Sequence, residues 1–138
     1  MEFNKILVPV IGTEADDEAI RLACRLAKKD KGKIWAVYII TIKRALPIDA
    51  EIESEIRKGE GILDHMESIA EEEDFEIETD LLQSRDAAPS IVDEAVEREV
   101  DLILMGITYK RHFGQFSLGS VVPYVLKNAL CQVILYQG

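Results

Sequence analysis

The sequence predicts an α/β fold of flavodoxin-like or Rossmann-like type: a doubly wound sheet of five parallel strands in the order 3-2-1-4-5, with helices on both faces. Two patterns lead to this expectation. Short apolar segments alternate with segments of helical periodicity, and most of the short segments are continuously apolar. Strands covered on both faces have such runs, and strands alternating with helices form parallel sheets with right-handed crossovers. A chain of 138 residues is expected to form one domain, 1–138.

The start of the chain supplies two buried strands and a helix between them. Residues 6–10 (ILVPV) form the first strand, and residues 34–40 (IWAVYII) form the second. Thr13 is a suitable N-cap for the intervening helix. The apolar side chains of that helix recur along one face, at Ala19, Ile20, Ala23, Cys24 and Ala27.

A long acidic helix and an alternating strand occupy the middle of the chain. The helix is predicted over residues 49–73, where Gly59 and Gly61 each weaken it by roughly 1 kcal/mol relative to alanine, which leaves open either a continuous helix or a break there. In residues 75–81, Phe, Ile, Thr and Leu alternate with acidic residues, which indicates a strand with one solvated face. Such a strand suits the sheet edge that the predicted order assigns to strand 3.

The second half supplies two further helices and two further strands. Asp86 is a candidate N-cap for a short helix. Residues 102–105 (LILM) form the fourth strand, and residues 133–136 (VILY) form the last. The clearest helical stripe lies between these strands, at Val121, Val122, Val125, Leu126, Ala129 and Leu130.

The predicted topology points to two connections as the place of a ligand. In such sheets, ligands bind at the carboxyl ends of the strands that flank the switch point, here strands 1 and 4. The connections there are residues 8–13 and 106–120 (GITYKRHFGQFSLGS). The second ends at Gly119 and Ser120 before a helix, whose free N–H groups suit a phosphate. The alternative is that Ser117 or Ser120 merely caps the helix while Gly119 makes the turn.

The charge distribution restricts the classes of partner. A net charge of −10 argues against general nucleic-acid binding, which needs a basic surface. Residues 102–138 nevertheless contain no carboxylate. Lys43 and Arg44 follow the second strand at the sheet edge where Lys110 and Arg111 are expected. These four cations either form a positive rim for an anionic ligand or are solvated loop residues.

The location predicted for the protein is the cytoplasm. No apolar run approaches the roughly 20 residues that a membrane span needs, and no secretory signal is visible at the start of the sequence. Cys24 and Cys131 are isolated and are expected to be inert thiols in a reducing compartment. We therefore expect neither a membrane nor a nucleic acid as partner.

Over essentially its whole length, the sequence resembles the universal stress protein family. The resemblance rests on KILVPVIGTEADDEAIRLACRLA near the start and on DLILMGITY and LGSVVPYVLKNALCQVILY near the end, in the matching order of elements. Nucleotide-binding members of that family have the pattern G-x-x-G, nine residues, then G-S/T. Gly106 matches the first glycine and Gly119-Ser120 the last pair, whereas Tyr109 stands at the second glycine.

A second departure follows the first strand. The family commonly has an aspartate in the pattern V-D-G-S that helps to hold the nucleoside, and Ile11 stands at that position here. Isoleucine can pack against a base but cannot accept its hydrogen bonds. The resemblance implies a site composed of Pro9, Ile11, Gly12, Thr13, Ile39, Met105, Gly106, Thr108, Tyr109, Gly119, Ser120 and Val121.

The resemblance implies a stress-response regulator that binds ATP or another adenine nucleotide, with or without Mg²⁺. One alternative is a dimeric scaffold that binds no nucleotide and acts through partner contacts. A second is a weak ATP hydrolase. Enzymes are less favoured because the sequence has no Walker A motif, no dinucleotide GxGxxG after a strand, no HxGH and no recognisable catalytic set. Catalytic and metal-binding residues are therefore not assigned.

The last strand predicts a homodimer. In the proposed order it is a sheet edge, yet residues 133–136 carry neither a charge nor a proline that would discourage pairing. We expect two copies of the chain to join across this strand, and the family resemblance implies something similar. Other protein partners are not predicted.

Overall fold

The computed structural model describes residues 3–108, 110–112, 115–117 and 120–137. In chain order its elements are β1 Lys5–Pro9, α1 Glu14–Asp30, β2 Lys33–Thr41, α2 Glu53–Glu72, β3 Glu78–Ser84, α3 Ala87–Glu97, β4 Leu102–Ile107, β5 Lys110–His112, β6 Gln115–Ser117, α4 Val121–Asn128 and β7 Gln132–Gln137. Among the described helices, none has the length and apolar character required to cross a membrane.

Five strands form one parallel sheet in the order β3-β2-β1-β4-β7. Because β7 is its fifth strand along the chain, the predicted fold class and strand order are confirmed. The chain runs outward from β1 to β3 on one side and then crosses to β4 on the other. The switch point therefore lies between β1 and β4, and the carboxyl ends of both strands meet there.

The sheet is buried on both faces, as the continuous apolar runs predict. Along β1, Ile6 and Val8 pack into the core under α1 and α2, whereas Leu7 packs into the core under α3 and α4. This alternation follows from the two-residue period of a strand. The predicted helices on both faces are confirmed.

Helix α2 begins at Glu53 rather than at the predicted residue 49. It continues through both glycines, so the break that the sequence left open does not occur. Gly59 is buried, and a Cβ atom added there would lie 2.7 Å from Cδ1 of Tyr38. Gly59 therefore permits close packing of α2 on the sheet, and this tertiary packing outweighs its low helix propensity.

The predicted boundaries of β3 and α4 were also wrong. Strand β3 is Glu78–Ser84 rather than 75–81, although its position at the sheet edge is as predicted. The apolar residues just before β3 belong to the chain leaving α2, where the Phe75 N–H donates to the Ala70 carbonyl at 3.0 Å. Helix α4 ends at Asn128, so Ala129 and Leu130 of the predicted stripe lie beyond the helix, and Leu130 is 87% exposed.

The connection between β4 and α4 contains more regular structure than predicted. Strand β4 extends to Ile107, and β5 and β6 pair as a separate antiparallel hairpin in which Lys110 is opposite Ser117. A simple loop over residues 106–120 is therefore a wrong description. Tyr109 and Gly119 lie outside the described residues.

Candidate functional site

A cavity of about 450 Å³ lies at the switch point. The carboxyl ends of β1, β2 and β4 form its base, and the first turns of α3 and α4 contribute to its sides. This is the position at which doubly wound sheets bind ligands, and the volume falls within the range of about 300–1,000 Å³ typical of small-molecule sites.

Nine of the twelve residues that the sequence assigned to a site line this cavity. They are Pro9, Ile11, Thr13, Ile39, Met105, Gly106, Thr108, Ser120 and Val121. Gly12 is not part of the wall, but its backbone N–H takes part in the loop described below. Tyr109 and Gly119 lie outside the described residues. The ligand contacts of all twelve residues stay predictions.

The described wall is mostly apolar. Ile39, Met105 and Val121 come from three different elements and contribute flat aliphatic or thioether surface. Ile11 is 70% exposed, so it lies at the mouth of the cavity rather than in its depth. The polar groups in the wall are few and come from Thr13, Asp16, Thr108 and Ser120. An apolar pocket with a small number of polar groups suits a planar ring carrying polar substituents.

Asp16 is the most unusual residue of the site, because it is charged and only 1% exposed. Its Oδ2 atom accepts hydrogen bonds from three consecutive backbone N–H groups of the β1–α1 loop. The donors are Ile11 at 2.9 Å, Gly12 at 2.7 Å and Thr13 at 3.0 Å. Asp16 lies three residues after the N-cap Thr13. At this position a carboxylate can accept hydrogen bonds from the preceding loop, and it is stabilised by the positive end of the helix dipole.

Two opposing effects act on the protonation of Asp16. Burial raises the pKa of its carboxyl above the ordinary value, and the three backbone hydrogen bonds offset part of this rise because they stabilise the anion. An oxygen that accepts three N–H groups is bound in the manner of a carboxylate. The loop N–H groups are thus already paired with a negative charge supplied by the protein itself.

Gly106 has a packing role at the cavity base. A Cβ atom added at this position would collide with the backbone of Ala15 and would lie 3.0 Å from the Asp16 nitrogen. Glycine therefore allows β4 to pass directly against the first turn of α1. The glycine that matches the family's nucleotide motif is required here by helix–strand packing, whatever ligand is bound.

Ser120 contributes a helix N-terminus to the wall of the cavity. It is the N-cap residue of α4, and its side chain makes no capping hydrogen bond within the described part of the chain. The first N–H groups of α4 have no partner within the helix and attract an anion. The structure thus retains both options that the sequence left open, a turn into the helix and a place for phosphate.

The structure describes two of the four cations of the predicted positive rim with their side chains. Lys43 and Arg44 are exposed after β2, and neither lines the cavity. Arg85 donates from Nη1 to the Lys43 carbonyl at 2.6 Å, which anchors this loop to the end of β3. The side chains of Lys110 and Arg111 lie outside the described residues.

Sequence reasoning missed seven residues of the wall, namely Val10, Asp16, Val37, Ala87, Ile91, Ile107 and Val122. Asp16 had a signal: Thr13-x-x-Asp16 resembles a capping box, in which the acidic side chain folds back to the loop. Ala87 and Ile91 had no such signal in the sequence, since only the tertiary packing of α3 brings them to the switch point.

Among the described residues, no group of three potential ligands could hold a metal ion.

The sequence of this chain is similar to those of known proteins. A model described as the universal stress protein family matches residues 2–137. Universal stress protein MJ0531 of Methanocaldococcus jannaschii is 33% identical over 139 residues, with 96% of this chain and 81% of that protein covered.

Solved structures show the same fold. A universal stress protein from Archaeoglobus fulgidus has a TM-score of 0.76 at 25% identity, with 98% of this chain and 94% of that chain covered. A structure of the universal stress protein from Archaeoglobus fulgidus in complex with dAMP has a TM-score of 0.76 at 23% identity, with 98% of each chain covered.

Proposed function

Since this chain belongs to the universal stress protein family, we propose that it is a cytoplasmic stress-response regulator that binds an adenine nucleotide, ATP or AMP, at the carboxyl ends of β1 and β4. The observation that carries the proposal is the cavity of about 450 Å³ at the switch point, apolar over most of its described wall. Its volume and its few polar groups suit a nucleoside with a small number of phosphates.

The wall suggests how the ligand lies. The adenine ring packs against the apolar surface of Ile39, Met105 and Val121, where burying a planar base removes apolar area from water. The phosphate lies near Ser120, because the N-terminus of α4 attracts an anion. The Archaeoglobus structure in complex with dAMP supports an adenine ligand for this fold. A Mg²⁺ ion would accompany the phosphates of ATP, which are its usual ligands together with water.

Calorimetric titration with AMP and ATP tests the proposal, using two substitutions at one wall position. Ala87→Phe adds a ring at the start of α3 that fills part of the cavity, whereas Ala87→Ser preserves the size of the residue. We expect wild type and Ala87→Ser to bind in the micromolar range and Ala87→Phe to bind at least about tenfold more weakly, a loss of about 1.4 kcal/mol. No heat and no thermal stabilisation with either nucleotide in the wild type would contradict the proposal.

A second role rests on a different surface. Strand β7 is an edge of the sheet, and its central residues are half-buried and uncharged. Such an edge can pair with the same strand of another copy. We propose a homodimer joined through β7, which would also serve the alternative function of a scaffold that acts through partner contacts without a nucleotide.

A further inference from the structure

We infer that Asp16 sets the charge preference of the proposed site: its carboxylate occupies the backbone N–H groups with which the β1–α1 loop would otherwise bind phosphate, so the site favours adenine ligands with few phosphates. Adenosine and AMP are then preferred to ATP. The ligand class rests on the proposed function, whereas the exclusion of phosphate from the loop stands on the loop geometry alone.

The loop has the form of an anion-binding site that is already filled. Three consecutive N–H groups, from Ile11, Gly12 and Thr13, converge on one oxygen atom at 2.7–3.0 Å. Successive N–H groups arranged in this way, together with the start of a helix, bind phosphates in many proteins. Here the anion is supplied from within the chain, since Asp16 lies on the first turn of α1.

Asp16 lines the cavity, although almost none of its surface is open to bulk water. Among the described residues of the wall it is the only one with a charged side chain. In the described wall, no cation balances it, because Lys43 and Arg44 are not part of the lining. A second anion in the same cavity is repelled in poorly screened surroundings, and the repulsion grows with each added phosphate.

The β1–α1 loop lacks an acid at Ile11, and an acid at Asp16 contacts the loop instead. Ile11 stands at the position where an acid could accept hydrogen bonds from a nucleoside, and it points no acceptor into the cavity. Asp16, five residues later on the first turn of α1, accepts the N–H groups of this loop and is the acidic residue among the described residues of the wall. The loop is thereby closed to phosphate, and one acidic residue remains in the wall of the cavity.

Dissociation constants for adenosine, AMP and ATP, measured at neutral pH without Mg²⁺, test the preference. We expect the dissociation constant for ATP to exceed that for adenosine in the wild type. Asp16→Asn should reduce the ratio of these two dissociation constants by about fivefold, as removal of one partly screened charge predicts. The matched control is Asp17→Asn, which removes the same charge from the adjacent residue. Asp17 contacts His65, with Nε2 and Oδ2 3.1 Å apart, and does not line the cavity.

The control should leave the ATP-to-adenosine ratio within about twofold of wild type. The inference is overturned if ATP binds wild type as tightly as adenosine does, or if both substitutions change the ratio equally. Asp16→Ser serves as a second variant, with circular dichroism confirming that each protein is folded.

Inorganic phosphate tests the loop without any adenine ligand. In ¹⁵N-labelled protein, the amide signals of Ile11, Gly12 and Thr13 should not move on addition of phosphate to wild type, and should move in Asp16→Ser. If no adenine compound binds but these signals behave as expected, the adenine ligand is wrong and the filled anion site stands. Unchanged signals in Asp16→Ser, or phosphate-dependent shifts in wild type, overturn the inference.

Discussion

Gly106 lies where β4 passes the first turn of α1, and this contact leaves no room for a side chain. A Cβ atom there would lie 2.5 Å from the Ala15 carbonyl carbon, which is backbone and cannot rotate away. We therefore expect Gly106→Ala to lower the free energy of unfolding by about 2 kcal/mol, as is typical of overpacking. Urea unfolding measures the change, and a variant as stable as wild type would show that the contact is wrong.

The buried carboxyl of Asp16 predicts a pH dependence of stability. Its pKa in the folded protein is raised by burial above the ordinary value of 3.8. A group that binds its proton more tightly in the folded state contributes stability that is fully present below pH 3.8 and is lost as the pH rises through the folded-state pKa. Asp16→Asn does not titrate and escapes this loss.

The free energy of unfolding of Asp16→Asn minus that of wild type should therefore increase as the pH rises from about 3 to 6. Urea unfolding of both proteins across this range measures the difference. A difference that decreases with pH would mean that the hydrogen bonds, rather than burial, dominate the pKa of this group.

The place of the site was predictable from the strand order, which pointed to the two connections at the switch point and to Ser120 at the start of a helix. The individual residues Pro9 and Met105 were implied by the family resemblance, and both line the cavity. The role of Asp16 could be derived only in part. The Thr13-x-x-Asp16 spacing predicts the hydrogen bond from the Thr13 N–H to the Asp16 carboxylate, but not the two further bonds from Ile11 and Gly12.

At the scale of one element, the two glycines of α2, Gly59 and Gly61, lie in different surroundings. Gly59 packs against the sheet, while a Cβ atom at Gly61 would meet no atom within 4 Å. We expect Gly61→Ala to stabilise the protein by up to about 1 kcal/mol through helix propensity. Gly59→Ala should instead destabilise it, because its Cβ atom would collide with Leu81 and Tyr38.

Thermal unfolding of the two variants gives the comparison directly, each serving as the control for the other. Equal shifts of Tm in the two variants would contradict the close packing of α2 on β2 and β3.

The boundaries of the strands show what a local sequence pattern cannot predict. The alternation in residues 75–81 is real, yet Ile77 is buried before the strand begins and pairing with β2 starts at Glu78. Pairing partners, rather than periodicity, decide where an edge strand begins. The long runs of β1 and β2 were predicted well because burial on both faces imposes a continuous apolar sequence.

For the whole molecule, the proposed dimer gives a prediction about mass. Light scattering at tens of micromolar should yield twice the monomer mass of 15.5 kDa. Tyr136→Lys places a charge on the β7 edge and should shift the protein toward monomer. Tyr124→Lys, at a partly exposed tyrosine on α4, is the matched control and should leave the mass unchanged. A monomeric wild type would count against pairing through β7.

The overall architecture was predictable because each of its rules is local or statistical. Alternating elements imply a parallel sheet, crossovers are right-handed, and the strand with one solvated face belongs at an edge. The β5–β6 hairpin follows from none of these rules, and the sequence predicts only a connection there. Its strands are only three residues each, too short for periodicity to distinguish them from a connection.

The central claim, a nucleotide site at the switch point, is tested most directly by mapping AMP on the ¹⁵N-labelled protein. The account predicts saturable shifts concentrated in the amides of Ile39, Met105 and Val121, with Lys127 at the far end of α4 unaffected. Shifts that saturate elsewhere, such as along the acidic α2, would place the ligand at a different site. No saturable shift at millimolar AMP would contradict nucleotide binding by this chain.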